Sequence, residues 1–357
     1  MNSHLRARQS SALTSIPSPA ATLIPGPLQR ARDDSCGFAD RLDRGEHRDG
    51  NGPPTISVRL SNGELLKLRA PAPPSSSLHV GERTLNDLHN FVQQYPRLFV
   101  LSGAGVSTDS GIPGYRDTEG RWKRTPPILL KDFLSDQSVR QRYWVRSMVG
   151  WRIVAGAHPN AAHHGLSRLE AAGRLRQLVT QNVDGLHQRA GSIDVIELHG
   201  NLRRVRCLGC GADHSRESVQ RMLQAENPHF LACGAMVAPD GDADVESYRV
   251  DAFRVPTCAY CAGVLKPEVV FFGEGVPRDR VDAAVGALEQ SDAVLVIGSS
   301  LMVYSGYRFC EWADKMGKPI AAINLGRTRA DHLLSLKIER SCADVLRSLM
   351  EQLGIAY

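Results

Sequence analysis

Aromatic residues are scarce in this chain, at 6% of its 357 positions, and lysine is scarcer still. Only Lys67, Lys123, Lys131, Lys266, Lys315, Lys318 and Lys337 stand among 43 basic residues, so arginine carries the positive charge. The base composition of a GC-rich genome accounts for that bias. No basic run interleaved with aromatics occurs, and a net charge of +5 spread along the chain leaves no footprint for nucleic acid. Apolar runs are short as well, and none approaches the roughly 20 residues that span a bilayer. A transmembrane protein is excluded. Hydrophobic residues at 42% and charged residues at 23% are ordinary for a soluble globular chain, long enough for one large domain or two with buried cores.

Residues 1–80 differ from the rest. "SIPSPAATLIPGPLQRARDDSCG" and "RAPAPPSSS" are rich in Pro, Ser and Ala and bury too little apolar surface to offset ordering entropy. The expectation is a low-complexity, disordered extension. One island within it, "TISVRLSNGELLKLRA", alternates around Asn62-Gly63 and predicts a hairpin. The first 32 residues contain Arg and no acid, as a transit peptide would, yet lack an amphipathic helix. A cytoplasmic protein is therefore expected ahead of a mitochondrial matrix one.

From Leu85 the texture changes. Leu85, Leu88, Phe91 and Val92 share a helical face, and Pro96 ends that helix before a strand at 98–102. Strand-like runs follow at 177–182, 195–200, 269–272 ("VVFF"), 293–298 and 320–324, with helical stretches at 163–172, 279–290 and 305–316. Apolar strands alternating with helices predict an α/β fold, a Rossmann-like parallel sheet with helices on both faces. Most of these strands end in polar or glycine residues, so one crevice at their carboxyl ends collects the candidate site.

Eight cysteines are unevenly placed. Cys36, Cys233, Cys310 and Cys342 stand alone, whereas Cys207/Cys210 and Cys258/Cys261 form two C-x2-C pairs. No stretch reads as a secretory signal, and the pattern favours a metal over disulfides. Four thiolates without histidine make a closed tetrahedral site suited to one structural zinc. The insert between the pairs predicts a helix near 215–225 and the loop "APDGDADVES", while Cys233 has no partner at ligand spacing.

The glycine loop "LSGAGVSTDSGIPGYR" (101–116) follows a buried strand without matching the dinucleotide fingerprint, because Thr108 stands where the third glycine belongs. "TQNVDGLHQRAG" gathers Asn182, Asp184 and His187, and "ELHGN" puts His199 at another strand end. "IGSSL" and "NLG" end two further strands with small residues that let a ligand lie against the backbone.

Together with "LKPEVVFFGE" and "GSSLMVYSGYRF", these motifs occur in the order seen in sirtuins, and the chain resembles that family from about Leu85 to its C-terminus. "RQRYWVRSMVGW", "APDGD", "FRVPTC" and "VYSGYRF" resemble its class II branch, which includes the mitochondrial sirtuin-four group and bacterial relatives. The resemblance implies a sirtuin catalytic domain over 81–357. Its Rossmann-like core would take about 81–120, 160–205 and 263–357. A small helical module would take about 121–159, and the four-cysteine module 206–262.

The resemblance further implies an NAD-dependent protein lysine deacetylase or deacylase that consumes NAD. An acyl-lysine amide oxygen would attack the ribose as nicotinamide leaves, yielding free lysine and O-acyl-ADP-ribose. His199 would be the general base on a ribose hydroxyl, a role suited to an ordinary pKa near 6.5. Asn182 and Asp184 would hold the carboxamide and ribose, beside Gln181 and Val183. Gly103, Ala104, Gly105 and Val106 would approach the diphosphate. Ser107, Ile112, Tyr115 and Arg116 would line the nicotinamide and ribose side, with Ser110, Gly111, Pro113 and Trp122 also binding the cofactor. Gly298, Ser299, Ser300, Asn324, Leu325, Gly326 and Cys342 would hold the adenosine half. Acyl-lysine protein substrates would enter as an added strand between 271–276 and 300–304.

"GRWKR" (120–124) offers Arg121 and Arg124 but lacks the tyrosine of the family's Tyr-x-x-Arg succinyl pair, which argues against succinyl. Acetyl, lipoyl or another acyl group stays open, with mono-ADP-ribosyl transfer or lipoamidase action as alternatives. A hydride-transferring dehydrogenase would want glycine at 108. A zinc-ribbon nucleic-acid module would want more than Arg203, Arg204 and Arg206 beside an otherwise acidic insert.

Every chemistry-bearing motif begins at or after Ser102. Deleting residues 1–80 is therefore expected to leave kcat/KM on an acyl-peptide almost unchanged. A folded truncate that loses most of its kcat/KM would put the tail in the site.

Overall fold

A computed structural model describes residues 55–59, 65–69, 84–121, 123, 127–230 and 250–356. Trp122, Arg124, Cys36, Cys233, the "APDGDADVES" loop and most of the 1–80 extension lie outside them. Within that extension the alternating island forms strands β1 (Thr55–Arg59) and β2 (Leu65–Arg69), a two-stranded sheet of their own.

The remaining chain alternates helix and strand. Helix α1 (Leu85–Gln94) leads to β3 (Leu98–Ser102), and α2 (Leu130–Ser135), α3 (Gln137–Gly156) and α4 (Ala161–Ala171) precede β4 (Leu175–Thr180). Next come α5 (Leu186–Arg189), β5 (Val195–Glu197), β6 (Gly200–Cys207), β7 (Asp213–Ser215) and α6 (Arg216–Glu226). Strand β8 (Leu265–Val269), α7 (Arg278–Glu289), β9 (Ala293–Ile297) and α8 (Tyr304–Lys315) follow. Strands β10 (Ile320–Ile323) and β11 (Leu336–Ile338) and helix α9 (Cys342–Leu353) complete the order.

Six strands make one parallel sheet in the order β11-β10-β9-β3-β4-β5. Its centre is apolar without interruption, because β3, β9 and β10 are covered on both faces. Alternate residues serve opposite cores. Val100, Leu295, Ile297 and Ile323 pack on α1, α4 and α9 through Leu88, Leu166 and Leu346. Phe99, Leu101, Val294 and Val296 face α7 and α8 through Leu288 and Phe309. Each such side chain contributes about 1.5–3 kcal/mol by leaving water.

A second sheet, β7-β6-β8, is antiparallel. It packs with α2, α3 and α6 around Phe133, Trp144, Met148, Val205, Leu223 and Leu265. Asp136 starts α3 by accepting from Ser138 N at 2.7 Å. Arg216 is fully buried there, with no carboxylate paired to it among the described residues. It donates to Ser147 O at 3.0 Å and Gln220 Oε1 at 2.7 Å and lies 4.8 Å from the Trp151 ring.

"VVFF" is not a strand of the parallel sheet. Strand β8 stops at Val269 and runs antiparallel to β6, and Val269–Phe272 continues as cavity wall. A four-residue apolar run signals burial without saying against what. The insert helix falls at Arg216–Glu226, close to its expected place.

Candidate active site

At the carboxyl ends of β3, β4 and β9 lies a cavity of about 560 Å³. The chain order turns there, since β3 has β4 on one side and β9 on the other.

Gly103 and Gly105 bring the loop after β3 onto the end of β9. A Cβ on Gly103 would sit 2.7 Å from Ser299 Cβ, and one on Gly105 would sit 2.8 Å from Gly298 Cα. Gly105 N donates to Gly298 O at 2.7 Å. Gly298 has φ +61°, and a Cβ there would strike Val106 N. These glycines exist first for backbone-to-backbone packing. Thr108, which breaks the expected glycine spacing, bonds Gly105 O through its hydroxyl at 2.9 Å and tightens the turn Ala104–Ser110.

Further on, the loop reaches across the cavity. Tyr115, Arg116, Asp117 and Thr118 line it, and Arg116 Nη1 donates to Gly120 O at 2.7 Å. Thr118 O accepts from Arg327 N at 2.9 Å, and a Cβ on Gly326 (φ +86°) would collide with that oxygen. Asp109 accepts from Ser341 Oγ at 3.0 Å, which ties the same loop to the start of α9.

Gly103, Ala104, Gly105, Gln181, Asn182 and Val183 line the cavity, as do Gly298, Ser299, Ser300, Asn324, Leu325 and Cys342. Ser107 and Asp184 are buried directly behind that wall. Asn182 Nδ2 donates to Gly103 O and to Ser107 Oγ, each at 3.1 Å, and Ser107 Oγ donates to Asp184 Oδ2 at 2.7 Å. Val106 and Ile112 are core side chains. Ser110, Gly111, Pro113 and Gly326 are not among the residues that line the cavity. Sequence reasoning missed Tyr143, Leu202, Ser305 and Ser341 as lining residues. Tyr143 and Leu202 read as core side chains in any pattern of periodicity, so only the fold reveals them.

His199 sits half-buried between the end of β5 and the start of β6. Its Nδ1 lies 3.0 Å from Gln181 O and its Nε2 lies 2.7 Å from Ser305 Oγ. A carbonyl only accepts, so Nδ1 carries the proton and Nε2 keeps its lone pair toward the cavity. Burial, with smaller contributions from Arg308 and Arg280, pushes this histidine down to about 4, against the opposing bond to Gln181. Burial also raises Asp184 above the usual carboxylate range, opposed by Leu186 N and Ser107.

Two further histidines are buried behind the wall. His187 Nε2 meets Ser102 Oγ at 2.8 Å, its Nδ1 has no partner among the described residues, and its ring centre lies 4.9 Å from that of His163. Burial pushes His187 down to about 4 and His163 to about 2.

The four paired cysteines converge, their Sγ atoms all within 4.8 Å of one another. Cys207 and Cys261 are 3.4 Å apart and Cys210 and Cys258 3.7 Å. Tetrahedral zinc with bonds of about 2.3 Å needs sulfurs about 3.8 Å apart. A Cβ on Gly263 would lie 2.9 Å from Cys207 Sγ, so that glycine leaves room for the thiols. Cys210 N and Gly209 N donate to Cys207 Sγ at 3.5 and 3.3 Å, and these amides hold the Cys207 thiol below its ordinary range. The cluster fits one structural zinc, held by Cys207, Cys210, Cys258 and Cys261.

A nucleotide-sized cavity at the switch point of a parallel sheet, beside a four-thiolate module, defines a Rossmann-type enzyme with a structural metal. The sequence profile of the Sir2 family matches residues 103–305. A Xanthomonas campestris pv. campestris protein named NAD-dependent protein deacetylase is 57% identical over 264 residues, covering 74% of this chain and 90% of its own. The Drosophila melanogaster NAD-dependent protein deacylase Sirt4 is 42% identical over 301 residues, covering 81% and 96%. Among solved structures, Sir2 with p53 peptide and NAD+ superposes at a TM-score of 0.59 with 29% identity, covering 76% of this chain and 100% of that one. Sir2Tm bound to a propionylated peptide gives 0.60 at 29%, covering 76% and 99%. The chain belongs to the Sir2 family and is an NAD-dependent protein deacetylase or deacylase. Among the described residues, no helix is long and apolar enough to cross a membrane.

Two predictions follow from this geometry. Replacing Cys258 with Ser should lower bound zinc below the one ion per chain expected of the native protein, and lower Tm with it, because metal binding is part of folding. Metal analysis and a melting curve check it. The buried histidines titrate near 6.5 when unfolded but far lower when folded, so the unfolded state gains protons first as pH falls. Stability should be level above pH 6.5 and fall from there toward pH 4. His187 alone accounts for on the order of 3 kcal/mol of that loss, so His187→Gln should flatten the fall of Tm with pH.

Proposed function

We propose that His199 is the general base of NAD-dependent lysine deacylation in this chain. The observation that carries this reading is the contact of Nδ1 with Gln181 O at 3.0 Å, which leaves the lone pair on Nε2, where the Ser305 hydroxyl meets it beside the cavity. On this reading the acyl-lysine oxygen attacks the ribose as nicotinamide leaves. His199 Nε2 then takes a proton from a ribose hydroxyl, which adds to the imidate carbon.

Asn182, with Ser107 and Asp184 behind it, offers a polar wall for the carboxamide. Asn182 Nδ2 is already directed by Gly103 O, which supports a fixed rather than searching amide. Gly103 to Gly105, Ser299, Ser300, Asn324, Leu325 and Cys342 form the wall proposed for the diphosphate and adenosine. A substrate peptide running between 271–276 and 300–304 would meet cavity wall on both sides. Lys266 holds the first wall in shape through a 3.0 Å ion pair to Glu274, whose carboxylate also accepts from Phe271 N at 2.8 Å. Acyl-lysine proteins are thus the proposed partners. The bacterial relatives and the four unbridged thiols support a reducing, cytoplasmic setting.

His199→Ala should cut deacylation about 100-fold or more while zinc content and Tm stay at wild-type values. Undiminished turnover in the purified variant would sink the assignment. For the wild-type enzyme, kcat/KM should hold level as pH falls from 8 to below 6, because desolvation keeps His199 neutral there. An acidic limb at the ordinary 6.5 would contradict that.

A further inference from the structure

Ser305 is the one side chain hydrogen-bonded to His199 Nε2 among the described residues, at 2.7 Å, and its hydroxyl lines the cavity. It occupies the first turn of α8, a helix of 12 residues. Three features fix that turn against the histidine. Gly306 has no room for a side chain, since its Cβ would lie 2.7 Å from Gln181 Cδ. The Gln181 side chain is itself held by bonds from Nε2 to Ser299 Oγ at 2.9 Å and to Ser102 O at 3.2 Å. Arg308 Nε donates to Ser305 O at 3.1 Å and steadies the turn from within the helix. Gln181 and α8 therefore grip the imidazole from its two nitrogens, and their spacing is set by a glycine.

Burial and, to a smaller degree, Arg308 and Arg280 oppose a proton on the ring, Arg280 being itself paired with Glu268 at 3.2 Å. When Nε2 takes a proton the ring needs an acceptor there, and a serine hydroxyl is both donor and acceptor.

We propose that Ser305 is a positioning residue for the His199 base: its hydroxyl caps Nε2 in the free enzyme, gives way to the ribose hydroxyl, and accepts from the imidazolium that forms. In that step the ribose O–H bond breaks and an N–H bond forms on Nε2, leaving the positive charge on the ring. Ser305 needs only a turn about one staggered torsion to change roles. The idea rests on His199 being the base. Nicotinamide departure precedes the base step and so does not call on Ser305.

The test is Ser305→Ala, with Ser305→Thr as the variant that keeps the hydroxyl. Formation of O-acyl-ADP-ribose in a single turnover should fall about ten- to 100-fold in Ser305→Ala, as expected for one lost bond to a charged group. Exchange of labelled nicotinamide into NAD and the KM for both substrates should stay within twofold. Ser305→Thr should restore the lost rate. Independently of catalysis, the Nε2 nitrogen resonance of His199 in the free enzyme, assigned by its absence from His199→Gln, should move in Ser305→Ala while Nδ1 does not. An unmoved Nε2 resonance overturns the proposal. So does a fall in nicotinamide exchange that matches the fall in deacylation, or a loss that Thr does not rescue. Full turnover by His199→Ala would instead remove the base assignment while leaving the Ser305 contact measurable by its resonance.

Discussion

Two backbones touch at the carboxyl ends of β3 and β9 with no side chain between them, Gly103 and Gly105 on one and Gly298 on the other. The polar side of the cavity is positioned by that contact. It sets the height of the glycine loop over the sheet, and Gly103 O then directs Asn182. Asn182 in turn orders Ser107 and Asp184 behind it. A side chain at any of the three glycines would lift the loop by the thickness of a methyl group, and in a close-packed interior that displacement spreads. The loop thus resembles a nucleotide fingerprint for a reason prior to any nucleotide.

The helical and antiparallel module meets the cavity through a different physics. There the wall is apolar, built from Tyr143, Leu202 and Val269 to Phe272, and its shape is held by Lys266 gripping Glu274 and resting 4.9 Å from the Phe271 ring. Strand β6 joins the two regions, because it begins beside His199 at Gly200 and ends at Cys207 of the four-thiol cluster. The thiolate cluster and the proposed base are two ends of one strand.

Much of this was legible from the residues. Continuous apolar runs in β3, β9 and β10 announced strands covered on both faces, and the C-x2-C spacing announced a closed four-thiolate site. Strand β11 escaped notice because three residues, Leu336 to Ile338, carry no period. Strand β6 escaped because its buried residues Leu202 and Val205 lie three apart, so the two-residue alternation breaks where the pairing with β8 shifts register. "VVFF" misled because cavity walls and parallel strands are equally apolar. Of the site, the strand-end residues were readable, since sheet topology alone collects them. Ser305 and Tyr143 were not, as helix residues whose meaning depends on which neighbour the helix meets. The glycines were read as making room for phosphate, and packing against Gly298 proved the more immediate reason.

The crossing of Thr118 over Gly326 has a kinetic side. A nucleotide bound beneath that crossing would be enclosed by a clasp of one backbone hydrogen bond from Arg327 and one bare glycine surface. Such a clasp opens by segmental motion, on a slower clock than a side chain turning over. The O-acyl-ADP-ribose product would then leave at the pace of the clasp, and the enzyme's turnover would report loop opening before it reported chemistry. Any side chain at position 326 would wedge the clasp ajar, trading retention of the reacting intermediate for faster escape.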